Sequence, residues 1–310
     1  MFPKFNGGPA IIITAAFIGP GTITLCVLAG VQNGFSLLWA MLLSIFITIF
    51  IQNTTARISY TTRKGLAESL LLQTSNPIFK FLLTLLLISA ILIGNAAYEA
   101  GNLSGALIGF QSIATGEDFY FGTRFDFLPI FMGTLVAVLI LFGSNKLLKN
   151  VLVGIVLLMS VSFLITAVLT KPNLQNLVHG IFIPTFNTKD TLTIVGLLGT
   201  TVVPYNLFLH AALVKGEHFS LQSLQWDTVF AVGLGGLVSL CIIISAAALE
   251  GQSVESASDL GQALAPLYGG FATTLMSLGL FAAGITSAIT APMAAAVSYT
   301  HLTLPTTPYV

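Results

Sequence analysis

The chain of 310 residues is 55% hydrophobic and only 7% charged, with a mean hydropathy of +0.95 and a formal net charge of zero. Soluble domains carry about 25% charged residues, so composition excludes a soluble globular domain, and the charge balance gives no footing for nucleic acid or another polyanion. The two cysteines, Cys26 and Cys241, lie in apolar runs and read as small hydrophobes, not a disulfide frame; nothing in the sequence calls for a cofactor.

Taken in order, the apolar runs predict an all-α polytopic membrane protein with about eight spans. The N-terminus shows no signal peptide with a cleavage site, and the first span, Pro9–Val31, is expected to act as its own insertion signal. Asn33-Gly34 makes a turn into a second span, 36–58. A connection holding Arg57, Arg63, Lys64, Glu68 and Lys80 leads to a long third span, 77–110, which contains Glu99. Glu117, Asp118 and Asp126 form an acidic loop before the fourth span, 127–142, and Lys146 and Lys149 precede the fifth, 150–169. The connection Pro172–Asp190 has room for a short interfacial helix. A sixth span, 191–214, a seventh, 228–249, and an eighth, 269–296, complete the series.

With the N-terminus in the cytoplasm, eight Lys and Arg residues fall inside and three outside, a positive-inside bias expected of a bacterial inner-membrane protein. Seven carboxylates fall on the outer side, an acidic vestibule that would attract cations.

Two spans are broken. Gly19-Pro20-Gly21-Thr22 interrupts the first, and Thr200-Thr201-Val202-Val203-Pro204-Tyr205-Asn206 the sixth. Gly and Pro weaken a helix, and in lipid an unpaired backbone group costs several kcal/mol, so a break persists only where protein or a water-filled cavity surrounds it. Two breaks five spans apart predict an inverted-repeat transporter bundle with discontinuous first and sixth helices and the substrate at the breaks. The rival reading is a pair of proline kinks that only shape packing.

Gly19-Pro20-Gly21-Thr22 with Leu37-Leu38-Trp39, Ala56-Arg57 and Lys64-Gly65-Leu66-Ala67-Glu68 resembles the opening of the Nramp family of divalent metal transporters. Val202-Val203-Pro204-Tyr205-Asn206-Leu207-Phe208-Leu209-His210 resembles that family's sixth-span motif Val-Met-Pro-His-Asn-Leu-Tyr-Leu-His, and Gly279-Leu280-Phe281-Ala282-Ala283-Gly284 its eighth span. The resemblance implies five-plus-five inverted repeats and a proton-linked symporter for metal cations, with no enzymatic activity. By family match the substrate site takes Gly19, Thr22, Thr200, Val203, Tyr205 and Asn206, and the proton pathway Glu99 and His210. The departures fall on the metal ligands themselves. The family pattern Asp-Pro-Gly-Asn has Gly19 and Thr22 at its ligand positions here, and the family methionine is Val203. A thioether selects soft transition metals and oxygen donors suit hard ions; the site is expected to have lost both charge and softness, leaving Thr22, Thr200 and Asn206 as candidate ligands for a hard cation.

Thr14, Thr22, Thr24, Thr200, Thr201, Tyr205 and Asn206 would line that pocket, although threonines also commonly bond back to their own helix. Glu99 is the one carboxylate inside a predicted span, so it is expected to carry a proton or to replace the charge absent at Gly19; a structural carboxylate bonded to Asn95, Tyr98 or Asn102 is the alternative. Other readings are a carrier of amino acids or small polar solutes, and a non-transporting receptor or scaffold. Finally, Val297–Pro305 back-translates as GTC TCT TAT ACA CAT CTG ACG CTG CCG, which resembles a transposon adapter used in sequencing libraries. Residues 1–296 are therefore read as a truncated transporter domain and 297–310, His301 included, as an artefact expected to form no membrane span.

Overall fold

The computed structural model describes residues 18–115, 127–142, 145–215, 220–251, 259 and 270–303. Among them the chain is helical without strands. Helix α1 spans Pro20–Asn33, α2 Leu38–Thr62, α3 Leu66–Gln73 and α4 Pro77–Ser89. A π turn at Ala90–Gly94 joins α4 directly to α5, Asn95–Thr115, making one long span. Then follow α6 Phe127–Phe142, α7 Asn145–Leu169, α8 Leu174–Phe182, α9 Thr191–Thr201, α10 Pro204–Lys215, α11 Leu221–Ala247 and α12 Gly270–Thr303. Five of these segments are long and apolar enough to cross a membrane, with α6 and Val153–Leu169 as shorter apolar helices. The outward faces carry large apolar side chains, among them Phe46, Phe50, Phe79, Phe81 and Phe142, as lipid requires of a protein without a driving force to bury them.

The helix ends follow local chemistry. Asn76 caps α4 by accepting from Ile78 and Phe79 N–H, Asn173 caps α8, and Ser220 caps α11. Three boundaries differ from those expected of the sequence. Arg57 belongs to α2 instead of the connection after it, the connection itself folds into α3 with Glu68 in its first turn, and the seventh span starts at Leu221, where Ser220 caps it by accepting from Ser223 N–H. Helix α12, the expected eighth span, also runs past Ala296 to Thr303, because no glycine or proline interrupts the sequence between Pro292 and Pro305.

Close helix contacts depend on small residues. Gly105 and Gly109 lie four apart on α5, the spacing that lets membrane helices touch backbone to backbone. A Cβ on Gly109 would stand 2.8 Å from Phe281 Cα and Ser277 O of α12, and one on Gly284 would stand 2.6 Å from Ala106 Cα of α5. The Pro20 ring sits directly on Gly105. On the other side of α1, Gly30 meets the α11 backbone at Ile243 and Ala247. Helix α1 is thus held between α5 and α11 at van der Waals distance, and its broken end is placed at the centre of the bundle.

Candidate functional site

Gly19 is extended (φ −94°, ψ 169°) and precedes α1, whose first residue is Pro20. Proline at a helix start has no N–H to leave unpaired, so Pro20 opens α1 at no cost in hydrogen bonding. The second break is equally local. Helix α9 ends as Val202 N–H bonds Leu198 O, Val202 and Val203 leave the helical path, and Pro204 opens α10. The structure brings the two breaks together: Thr22 Oγ1 donates to Thr200 O at 3.4 Å, across 178 residues of sequence. Ser44 of α2 braces the same turn, bonding Thr201 Oγ1 and Leu197 O.

The threonines divide between the two readings made from sequence. Thr24 bonds back to Pro20 O at 3.0 Å and Thr200 to Gly196 O at 3.1 Å, so their hydroxyls serve their own helices. Thr200 reaches the site through its backbone carbonyl, as the broken helix end frees it to do. Thr14 lies outside the described residues. Asn206 is fully buried, with its N–H on Val203 O at 3.1 Å. Val203 faces away from the polar contacts, into an apolar cluster with Leu209, Ala291 and Ala294.

Tyr205 stands edge-on to Tyr98 with ring centroids 5.5 Å apart, and it lies within electrostatic reach of Glu99. The third span therefore meets the sixth at its break. Glu99 is half-buried, and its Oε2 is enclosed without a hydrogen-bond partner among the described residues. His210 goes elsewhere: fully buried, it sets Nδ1 2.7 Å from Gln52 Oε1 of α2 and Nε2 3.5 Å from Thr228 Oγ1 of α11. An amide oxygen only accepts, so the ring carries its proton on Nδ1. Of the residues expected to form an acidic outer vestibule, Asp190 accepts from Asn33 at 2.8 Å and Glu250 lies against Gly34, whose φ of 55° suits glycine; Glu117, Asp118, Asp126 and Glu255 lie outside the described residues.

Sequence reasoning passed over Ser287 and Gln52. A Cβ on Gly19 would stand 3.3 Å from Ser287 Oγ and 3.5 Å from Asn102 Oδ1, so these two residues occupy the direction in which a side chain at position 19 would point. Gln52 is the partner that orients His210. Each is a polar group well inside an apolar run, which in a membrane is itself a signal. Beside the break, a cleft of about 450 Å³ opens between Pro20, Gly21, Gly101, Ser104 and Thr200. Among the described residues no three His, Cys, Asp or Glu side chains come together; the donors at the breaks are hydroxyl, amide and carbonyl groups.

Two discontinuous helices meeting at mid-bundle define the class of inverted-repeat membrane carriers. The sequence matches the family described as natural resistance-associated macrophage protein-like, Nramp, over residues 10–303, and the chain belongs to that family. It is 30% identical over 308 residues to a divalent metal cation transporter, MntH, of Deinococcus radiodurans, covering 93% of this chain and 66% of that one. A manganese transporter of Eremococcus coleocola shares its fold: a histidine-to-alanine mutant superposes with a TM-score of 0.81 at 19% identity, covering 99% of this chain and 69% of that one. The same transporter in complex with an aromatic bis-isothiourea substituted compound gives 0.77 at 19% identity, over 97% and 66%. The chain spans about two thirds of the length of these relatives. It is an integral, multi-pass membrane protein.

Proposed function

We propose that the chain acts as a secondary transporter for a metal cation, proton-linked, with selectivity moved from soft transition metals toward harder ions. It is a carrier and not an enzyme, set in a bacterial inner membrane with its N-terminus in the cytoplasm. The observation that carries this reading is the contact of Thr22 with the Thr200 carbonyl across both breaks. There the positions matched to the family's carboxylate and thioether are Gly19 and Val203, and oxygen donors remain. The Deinococcus relative is a divalent metal cation transporter and the Eremococcus one a manganese transporter, which supports a cation as cargo.

Alternating access would use the difference in how the helices are held. Helices α5 and α12 touch through backbone and glycine, whereas α1 and the α9–α10 break are joined to each other by a long side-chain hydrogen bond. The breaks are where the chain can hinge, opening the midplane to each side in turn. Glu99, next to Tyr205, is placed to exchange a proton as the break moves; His210, with Gln52 and Thr228, would pass one toward α2 and α11.

Uptake into proteoliposomes tests the reading. Mg²⁺, Ca²⁺ or Mn²⁺ should compete for isotope uptake at least tenfold better than Cd²⁺. Preferred uptake of Cd²⁺ would overturn the altered selectivity. Competition by amino acids and by no metal would overturn the cation itself.

A further inference from the structure

Away from the breaks, at the end of the bundle where α1 stops, a cavity of about 220 Å³ is lined by Asn33, Ser36, Asn176, His179, Thr185 and Glu250. Its floor is the turn between α1 and α2, and its walls are α8 with the residues after it and the end of α11. Short contacts fix these parts to one another. Gly180 of α8 lies on Phe35 O with no room for a side chain, Thr185 Oγ1 donates to Ser36 O at 3.3 Å, and Gly251 N–H donates to Val31 O at 3.1 Å. Asn33 Nδ2 donates at 2.8 Å to Oδ1 of Asp190, the residue before α9. The cavity therefore lies where the ends of both broken spans are fastened together.

The lining has the chemistry of a transition-metal site. His179 stands in the last turn of α8, with Asn176 on the same face three residues before it. Glu250 packs over Gly34 of the turn. Among the described residues neither the His179 nor the Glu250 side chain has a hydrogen bond or ion pair, so a ring nitrogen and a carboxylate are both open to a ligand. A carboxylate only accepts, so the Asn33 amide that donates to Asp190 keeps its oxygen for the cavity. Imidazole suits ions such as Zn²⁺, whereas Mg²⁺ and Ca²⁺ take oxygen ligands. Zinc sites that are not purely structural use three protein ligands and keep a water; His179, Glu250 and an amide oxygen make three. At about 30 Å³ for each water, the cavity has room for an ion and the waters that complete its shell.

We infer that this cavity binds a divalent transition-metal ion of the zinc class, with His179 and Glu250 as ligands and the Asn33 or Asn176 amide as the third. It is a second site, apart from the oxygen donors at Thr22 and Thr200, and its ion is not the cargo. Bound there, the ion ties α8 to the end of α11 over the turn that follows α1, and braces the ends of α1 and α9 against movement of the breaks. That braking role rests on the reading of the chain as a carrier; the site itself does not.

Zn²⁺ binding to the purified full chain, free of any polyhistidine tag and titrated against a fluorescent zinc indicator, reads the site without transport. One saturable site is expected, weakened at least tenfold by His179→Ala and by Glu250→Gln, two exposed positions where folding is not at stake. A hundredfold excess of Ca²⁺ should not displace the ion, and Zn²⁺ should raise the thermal midpoint of the unmodified chain but not of His179→Ala. Thr22→Val, at the breaks, should bind Zn²⁺ as the unmodified chain does. No saturable binding, binding that both cavity variants retain, or ready displacement by Ca²⁺ overturns the inference. So does loss in Thr22→Val with retention in His179→Ala, which would put the ion at the breaks. Because uptake is not measured, a failed carrier reading leaves a positive result standing, and a failed zinc site leaves the carrier reading untouched.

Discussion

Replacing Gly284 with alanine should force α5 and α12 apart. A Cβ there would stand 2.6 Å from Ala106 Cα and 2.7 Å from Ala106 Cβ, about 0.8 Å closer than ordinary van der Waals contact allows. Neither atom can rotate away, because both are fixed to the α5 backbone; the helices must separate. Overpacking of this kind costs about 1–3 kcal/mol. For a chain of this size each kcal/mol moves the midpoint by about 1.5 °C, so the apparent thermal midpoint in detergent should fall by about 1.5–5 °C. Gly101→Ala, on α5 with nothing within 4 Å of its Cβ, is the control. It should hold or raise the midpoint, since alanine is favoured over glycine in a helix by about 1 kcal/mol. Midpoints are read from loss of the monodisperse peak on size exclusion after stepwise heating. If Gly284→Ala and Gly101→Ala prove indistinguishable, the reading of this seam as a backbone contact is refuted.

Restoring the family's ligands, Gly19→Asp with Thr22→Asn and Val203→Met, should tighten Cd²⁺ binding at least tenfold by calorimetry; unchanged affinity would separate those positions from metal choice. Thr22→Val removes a side-chain hydrogen bond between the two breaks, and a loss of about 0.5–1.5 kcal/mol in stability is expected, read as a lower thermal midpoint, with transport reduced more than abundance. Glu99→Gln should abolish most uptake while leaving folded protein in the membrane at wild-type level, and normal uptake across pH would exclude Glu99 from the proton route.

The bundle itself was legible in the amino-acid order because a bilayer demands long apolar runs, and a proline inside each of two such runs, Pro20 and Pro204, marks the breaks. Thr22 and Thr200 could be named from motif positions, and they do meet. How they meet was not legible. A hydroxyl that bonds four residues back and a carbonyl freed by Pro204 look alike in one-letter code; of the two, it is the Thr200 carbonyl that faces Thr22. His210 is placed with Glu99 on a proton pathway by family match, yet its partners Gln52 and Thr228 come from α2 and α11. Ser287 escaped notice because its role depends on the antiparallel register of α5 against α12, which glycine contacts set and no local pattern announces.

The π turn at Ala90–Gly94 governs rotational phase within the third span. Each residue added to a regular helix turns everything beyond it by about 100°, whereas a π turn absorbs one residue as a local bulge. Upstream, α4 points Ile78, Phe79, Phe81 and Leu82 outward; downstream, Asn95 bonds Ala291 O of α12 and Glu99 and Asn102 face the broken helices at Tyr205 and Gly19. With the bulge between them, the lipid-facing half and the polar half are aligned separately. Shortening the chain by one residue within Ala90–Gly94 would straighten the helix with both faces kept, while the same deletion after Asn95 would swing Glu99 and Asn102 off their target. The span thus contains one point at which its length can vary without moving its chemistry.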